Sequence, residues 1–398
     1  MRFCFCQVSN SLINPENGST AEKFYNTFWD EKHKDGFYRP EHFFELPVWI
    51  AEIVYTLPED VEPMLHIVTD EQAELPDADY YLFSVLDVNR QIVQQIIYDN
   101  PQKQFNIGGY IEFDKYFLDY TNVACFASVR DFAVYHDFDY RYGTDYSLFA
   151  GMECVPRLTL STGCRHRCKF CIVPNEVVEK TATNVWAQVY SFIEAKLKFK
   201  LVYLNDKTFG QADNHRDLEM YYKVIKYNNP EFEGFIVQTT AAKVGELPKT
   251  VWQDCHIKIV EIGVETYNDS LLQQYRKPAR EVDIDGAVTT LAGLGVKVIA
   301  NIILGLPGET SQTYAKTYDF LSDWMHCNNF YSLNIYTFAA YADAEATKEL
   351  NVNAGDTDEL NDNRTFWTDE ERRAFNVWSE SFYKLGIDII LEDENVKV

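Results

Sequence analysis

The chain has 398 residues, 46% of them apolar and 15% aromatic, with a net charge of −25. That length is too great for one ordinary core and that composition excludes a disordered chain, so two or three folded domains are expected. The charge argues against a general nucleic-acid-binding surface, because phosphate backbones need Lys and Arg to neutralise them, and points instead to a neutral or cationic small molecule or peptide. No run approaches the roughly 18 apolar residues that span a membrane. The start, Met1-Arg2-Phe3-Cys4-Phe5-Cys6, lacks the long apolar stretch of a signal peptide. Cys4, Cys6, Cys125, Cys154, Cys255 and Cys327 are scattered without a disulfide framework, which fits a reducing, cytoplasmic setting.

In chain order, residues 2–8 read as a strand and 9–40 as a polar, turn-rich loop or insertion. Helical spacing then runs from Glu41 through Phe44, Trp49, Ile53 and Leu57. Residues 64–68 and 80–85 read as strands. Residues 89–100 read as a helix with Ile92, Val93, Ile96 and Ile97 on one side, and 105–107 as a short strand closed by Gly108-Gly109. This alternation predicts a small parallel α/β domain over residues 1–125. A strand near 123–127 leads into a connector, 126–156. Strands at 158–161, 201–205, 235–239, 258–264, 297–306 and 332–338 then alternate with helices at 185–199, 213–227, 247–254, 282–294 and 312–325. Six such units within residues 157–340 suffice for a partial barrel, and sites on such scaffolds lie at the C-terminal strand ends. Residues 341–398 form a helical extension. There Thr368 and Glu371 make a capping box, and Phe375, Trp378, Phe382 and Leu385 form a stripe ending at Gly386.

Cys164, Cys168 and Cys171, spaced C-x3-C-x2-C, follow the first of those six strands and Thr162-Gly163. Three thiolates on one short loop suit three irons of a [4Fe–4S] cube, with the fourth iron left for a substrate or cofactor. Structural zinc calls for a fourth ligand from a second C-x2-C or H-x3-H pair, and the sequence has none. Arg165, His166, Arg167 and Lys169 read as a cationic lining around an anionic cluster. No general acid or base stands out.

The loop and the six units behind it resemble the radical S-adenosylmethionine (SAM) superfamily over about residues 150–340. The most specific element is C-x3-C-x-aromatic-C, with Phe170 as the aromatic. The resemblance implies a [4Fe–4S] cluster on Cys164, Cys168 and Cys171, with SAM across the strand ends and Phe170 at the cluster and adenine edge. Leu204-Asn205-Asp206-Lys207 stands where the family has a Gly-Gly-Glu-like turn that meets the methionine amine. It departs from that pattern, so only a backbone role is implied for Asn205 and Asp206. Glu261-Ile262-Gly263-Val264-Glu265-Thr266 is similar to the segment near the SAM ribose, with Glu265 as the acceptor. The segment from Asn301 to Thr310 is similar to the one whose backbone lies along the adenine, at Gly305 and Leu306. Read from the residues alone, Phe170 is equally a core aromatic, Glu265 a buried acid paired with a barrel cation, and Glu309 an acid near a helix N-terminus. The implied chemistry is reductive cleavage of SAM to a 5′-deoxyadenosyl radical that abstracts hydrogen from an unactivated carbon. An external reductant such as a flavodoxin or ferredoxin would feed it.

The N-terminal domain is similar to the Rossmann-like, cobalamin-binding-like domain that precedes the barrel in one large subgroup. The likeness ends at Asn106-Ile107-Gly108-Gly109-Tyr110, where the glycines would admit a bound tail or close a tight turn. The Asp-x-His-x-x-Gly motif, whose histidine ligates cobalt, is absent, and His33 and His42 lack its context. Either cobalamin binds without a protein histidine and serves methyl transfer, or the domain is a relic that shapes the site of an isomerase or bond-forming enzyme. Methylthio transfer fits less well, because that group's N-terminal domain supplies three further cluster cysteines whose spacing Cys4, Cys6 and Cys125 do not reproduce. A non-catalytic iron–sulfur regulator is the rival from another class. After the sixth strand, Tyr341-Ala342-Asp343-Ala344 stands where relatives carry a Pro-Gly-Thr-like turn, making Asp343 a candidate for substrate contact.

Overall fold

A computed structural model describes residues 1–8, 47–68, 74–109, 111, 113–151, 154–338, 344–350 and 367–395. The stretch 9–40 with His33, the beginning of the first expected helix with His42, Tyr110, Asp343 and the acidic run 351–366 lie outside the described residues. Those residues divide into two compact units: residues before 152 together with 187–197, and the remainder.

The first unit is a five-stranded, wholly parallel sheet of β1 (Arg2–Val8), β2 (Glu62–Val68), β3 (Tyr80–Val85), β4 (Gln104–Gly109) and β5 (Val123–Cys125). The strand order is β2-β1-β3-β4-β5, a doubly wound order that reverses at β1. The inner position of β1 explains its composition. Phe3, Cys4, Phe5 and Cys6 are all buried, because an inner parallel strand is covered on both faces. Helices α1 (Val48–Thr56), α2 (Asp87–Asp99) and α3 (Val129–Tyr135) belong to this unit. The Ile92, Val93, Ile96 and Ile97 side of α2 packs on the face that carries Cys4, Cys6, Tyr81, Phe83 and Phe105. Gly109 has φ +122°, and a Cβ there would strike the Val85 backbone, so this glycine serves the close approach of β4 to β3. Helix α3 falls in the expected connector. It buries only Phe132 and Ala133 and starts at a Ser128 cap, too short a stripe for periodicity to register.

The second unit has the expected six parallel strands: β6 (Arg157–Leu158), β9 (Leu201–Leu204), β10 (Gly234–Thr239), β11 (Ile257–Glu265), β12 (Lys297–Leu304) and β13 (Phe330–Thr337), in the order β13-β12-β11-β10-β9-β6. Between β6 and β9 a small antiparallel pair, β7 (Ser161–Thr162) and β8 (Val178–Glu179), breaks what reads in sequence as one strand. Helix α4 (Ala182–Glu194) follows β8. After the later strands come α5 (Leu218–Asn228), α6 (Ala241–Glu246), α7 (Lys249–Asp254), α8 (Asp269–Gln274), α9 (Glu281–Gly293), α10 (Ser311–Met325), α11 (Glu345–Glu349) and α12 (Asp369–Asn395). Val155, Leu201, Ile236, Ile259 and Ile299 form an apolar floor in the sheet's concave interior. The capping box of α12 is present: Thr368 Oγ1 accepts from the Glu371 amide at 3.2 Å, and Glu371 Oε2 accepts from the Thr368 amide at 2.7 Å. The helix continues through Gly386, since a lone interior glycine costs only about 1 kcal/mol. Among the described residues no helix is long and apolar enough to cross a membrane.

Candidate cluster and cofactor site

The three cysteines sit on the loop that leaves β7. Gly163 has φ +77°, and a Cβ there would collide with the Glu176 carbonyl, so only glycine fits the bend. Backbone bonds then fold the loop on itself: Cys164 N–H donates to the Pro174 carbonyl at 2.9 Å, and Cys171 N–H to that of Cys168 at 3.0 Å. Lys169 N–H reaches the Tyr275 carbonyl at 3.0 Å, and its carbonyl accepts from Ala346 at 2.9 Å. Two sulfurs have polar neighbours. Thr208 Oγ1 lies 3.4 Å from Cys164 Sγ, and the Val173 amide donates to Cys171 Sγ at 3.4 Å. Cys171 is exposed, and Cys164 and Cys168 are half-buried.

Asp206 and Gln211 brace this loop from behind. Asp206 accepts from the Leu160 amide at 2.9 Å and from the Ser161 hydroxyl. Those bonds divert residues 160–161 from the β6 ladder, which is why the expected strand breaks there. Burial pushes the Asp206 carboxyl up to about 6, against the pull of these donors. Gln211 Nε2 donates to the Gly163 carbonyl at 2.9 Å, and its Oε1 accepts from the Arg165 amide at 3.3 Å. Asn205 is half-buried, and its Oδ1 accepts from Arg157 at 2.8 Å. The side chains of Asn205 and Asp206 are thus engaged within the protein. The expected cationic lining is partly engaged as well: Arg165 donates to the Gln211 carbonyl, and Lys169 pairs with Glu349 at 2.6 Å.

The cation beside the thiols is the barrel partner expected for Glu265, and its position could not be read from local pattern. Lys277, in the turn after α8, forms a buried ion pair with Glu265. Burial pushes the Cys168 thiol up to about 11, with the Lys277 charge opposing. Glu265 ends β11 at φ +60°, a conformation that costs a non-glycine residue about 1–2 kcal/mol. Gly263 leaves space for the pair, since a Cβ at Gly263 would meet both partners.

Gly305 and Leu306 sit in a turn fixed from several sides. Glu309 accepts from the Gly305 amide at 2.9 Å and the Leu306 amide at 3.2 Å, and the Tyr314 hydroxyl also reaches Gly305 N–H at 2.9 Å. The Trp367 indole donates to the Gly305 carbonyl at 2.9 Å, its ring occupying the place of a Cβ. Glu309 is therefore a buried anchor of the turn. Burial lifts its carboxyl to about 8. Phe170 packs with Leu271, Tyr275, Leu306, Phe338 and Ala346, which brings the cysteine loop and this turn into one apolar cluster.

Residues 158–321 match the family model of the radical SAM superfamily. This part of the chain is a radical SAM domain. Curated relatives of the chain include the ribosomal protein uS12 methylthiotransferase RimO of Zymomonas mobilis, 23% identical over 216 residues, 49% of this chain and 48% of that protein. The hopanoid C-2 methylase of Rhodopseudomonas palustris is 22% identical over 160 residues, 38% of this chain and 30% of that one. The chain thus spans about half or less of the length of these relatives. Among solved structures, the methyltransferase TsrM of Kitasatospora setae, with cobalamin and a [4Fe–4S] cluster bound, aligns with a TM-score of 0.56 at 11% identity, covering 88% of this chain and 77% of that one. OxsB, a cobalamin-dependent SAM radical enzyme, aligns at 0.55 and 13%, covering 92% and 56%. At such identities the likeness shows the fold.

The donors of the radical SAM domain fit a cluster and a polar cofactor. Among the described residues no three His, Cys, Asp or Glu side chains converge on a single metal ion, and a cluster asks for no such convergence, because each thiolate takes its own iron. His166 Nε2, inside the loop, is buried without a hydrogen-bond partner among the described residues. A cobalt-ligating histidine is a different matter. His136 lies in an aromatic box with Phe3, Tyr80 and Phe132 and bonds Asn106 at 3.0 Å, and burial lowers it to about 4. His66 stands within β2. Neither stands beyond a strand end, so no described histidine of the first unit fits that role.

Proposed function

We propose that the chain is a radical SAM enzyme in which Cys164, Cys168 and Cys171 hold a [4Fe–4S] cluster next to bound SAM and radical chemistry is started on a small molecule or peptide. The observation that carries this reading is the set of three thiols on one braced loop, beside the buried Lys277–Glu265 pair. When bound, the cluster supplies the electron that breaks a carbon–sulfur bond of SAM. The protein's own part is placement. The Thr208 hydroxyl and the Val173 amide temper the charge on two sulfurs, and Lys277 does so at the third. Glu265 stands at the β11 end as the acceptor for the ribose. Glu309 and Trp367 hold the Gly305-Leu306 turn rigid for the adenine, and Phe170, Tyr275 and Leu306 keep water from the site.

Methyl transfer is the outcome we favour, on the names of the hopanoid methylase and TsrM. Cobalamin is not needed for the cluster reading, and no described histidine would ligate it. A methylthio outcome, suggested by the RimO relatives, has the first unit's thiols against it: Cys4 and Cys6 are core residues of β1, and Cys125 is exposed at the end of β5.

The test is anaerobic. The protein is reconstituted with iron and sulfide, given SAM and a strong reductant, with and without cobalamin, and the nucleosides are separated. 5′-Deoxyadenosine is expected from the wild type and not from Cys168→Ala. S-adenosylhomocysteine that depends on cobalamin marks methyl transfer. SAM binding with neither nucleoside would favour the regulator reading.

A further inference from the structure

Lys169 lies between Cys168 and Cys171, and its three polar groups are held by two segments far away in sequence. Its N–H donates to the Tyr275 carbonyl, just past α8, at 3.0 Å, and its carbonyl accepts from the Ala346 amide in α11 at 2.9 Å. Its ammonium donates to both oxygens of Glu349, also in α11, at 2.6 and 2.7 Å. The two segments are joined in turn, since Arg276, next to Tyr275, pairs with Glu345 at 2.6 Å. Lys169, the end of α8 and α11 thus meet in a three-way junction, although 180 residues separate Lys169 from Glu349. Beside it, Phe170 and Leu350 pack on the apolar cluster that holds Leu271, Tyr275 and Ala346.

Topology gives this junction its meaning. Among the described residues the six-stranded sheet is open, with β13 at one edge and β6 at the other. The cysteine loop follows β6 and β7, and α11 is the next element after β13. Their contact therefore bridges what strand pairing leaves open, at the C-terminal rim where the thiols stand. The bridge is built from weak parts. The side chains of Glu349, Arg276 and Glu345 are 52%, 52% and 44% exposed, and pairs so open to water contribute little and are screened by salt. The five-residue α11 is too short to hold its shape without packing. Lys169 is different. Its side chain is 15% exposed, and a cation so covered is driven toward water once its partner is lost. The backbone it would carry along is the stretch between two of the three thiols.

We propose that α11 is a clasp that shuts the open edge of the barrel onto the cysteine loop, with Glu349 as the positioning residue for Lys169, and that opening of the clasp sets the rate at which the loop loses its cluster. Closed, the clasp fixes residue 169 at its amide, carbonyl and ammonium together, and so fixes the spacing of Cys168 and Cys171. Open, it leaves both thiols on a free loop. The proposal rests on the radical SAM reading for the cluster, but the gating of Cys168 by the clasp is independent of it.

The experiment reads two rates on the full chain. In the metal-free chain, maleimide labelling followed by mass spectrometry times Cys168, with the buried Cys255 of the same unit as the control for global opening. In the chain reconstituted anaerobically, excess ferrous chelator times iron release. Both rates should rise from low to high salt in the wild type. Glu349→Gln should raise both about fivefold at low salt, equivalent to about 1 kcal/mol, and lessen their salt dependence. Lys169→Gln should do the same, and the two substitutions together should be no faster than either alone, because each removes the same contact. Cys255 should stay slow throughout. The salt comparison needs no variant, so it stands even if a substituted chain fails to fold. The proposal is overturned if salt or Glu349→Gln leaves both rates unchanged, if the two substitutions add, or if Cys255 opens together with Cys168. Failure of the radical SAM reading looks different: no form of the chain retains iron, while Cys168 labelling still responds to Glu349→Gln.

Discussion

Gly163 is the residue on which the cysteine loop turns. Its φ of +77° and the Glu176 carbonyl opposite leave no place for a side chain. Gly163→Ala should therefore displace the loop and lower stability by about 1–3 kcal/mol. Iron and sulfide per chain after reconstitution should fall well below wild type, and a full complement would show that the bend is dispensable. Glu309 carries a pH signature. Its carboxyl goes from 4.5 to about 8 on folding because burial outweighs its three donors. The folded state thus holds this proton more tightly than the unfolded chain. The stability it contributes is complete below pH 4.5 and is lost as pH rises through about 8. Melting temperature should fall across that window in the wild type and fall less in Glu309→Gln, where an amide replaces the titrating acid. Equal slopes would remove Glu309 from the account.

At the scale of elements, the Gly305 turn and the start of α12 depend on each other. Trp367 caps the Gly305 carbonyl, and Glu371 accepts from the Gly308 amide at 2.6 Å while it also closes the Thr368 capping box. Trp367→Ala removes a buried ring and leaves Gly305 a carbonyl without its donor. Unfolding in denaturant should show a loss of about 3–5 kcal/mol, and SAM should bind more weakly. A loss under about 1 kcal/mol would mean that the turn holds its shape without the indole. Much of this was legible beforehand: the six strands and the capping box. Trp367 as partner of that turn was not, because a contact across 62 residues leaves no trace in local periodicity. The break between β6 and β7 was also hidden, since Asp206, 46 residues away, makes it.

Across the whole molecule, what could be read in the sequence was what is local and chemically distinctive, the C-x3-C-x2-C loop and the alternation of strand and helix. Lys277 was invisible, as it lies in an ordinary turn, and its meaning comes from Glu265 and Cys168 beside it. The cysteines offer a molecular census. Only Cys125, Cys171 and Cys327 are exposed, and Cys4, Cys6, Cys154 and Cys255 are buried. Partial burial and Asp114 push the Cys125 thiol up to about 11, which slows its alkylation. Pulse alkylation read by mass spectrometry should therefore mark Cys171 and Cys327 first in the metal-free chain. Once iron and sulfide are loaded, Cys171 should fall silent and Cys327 should not, so the chain carries an internal standard against which occupancy of the loop can be counted molecule by molecule.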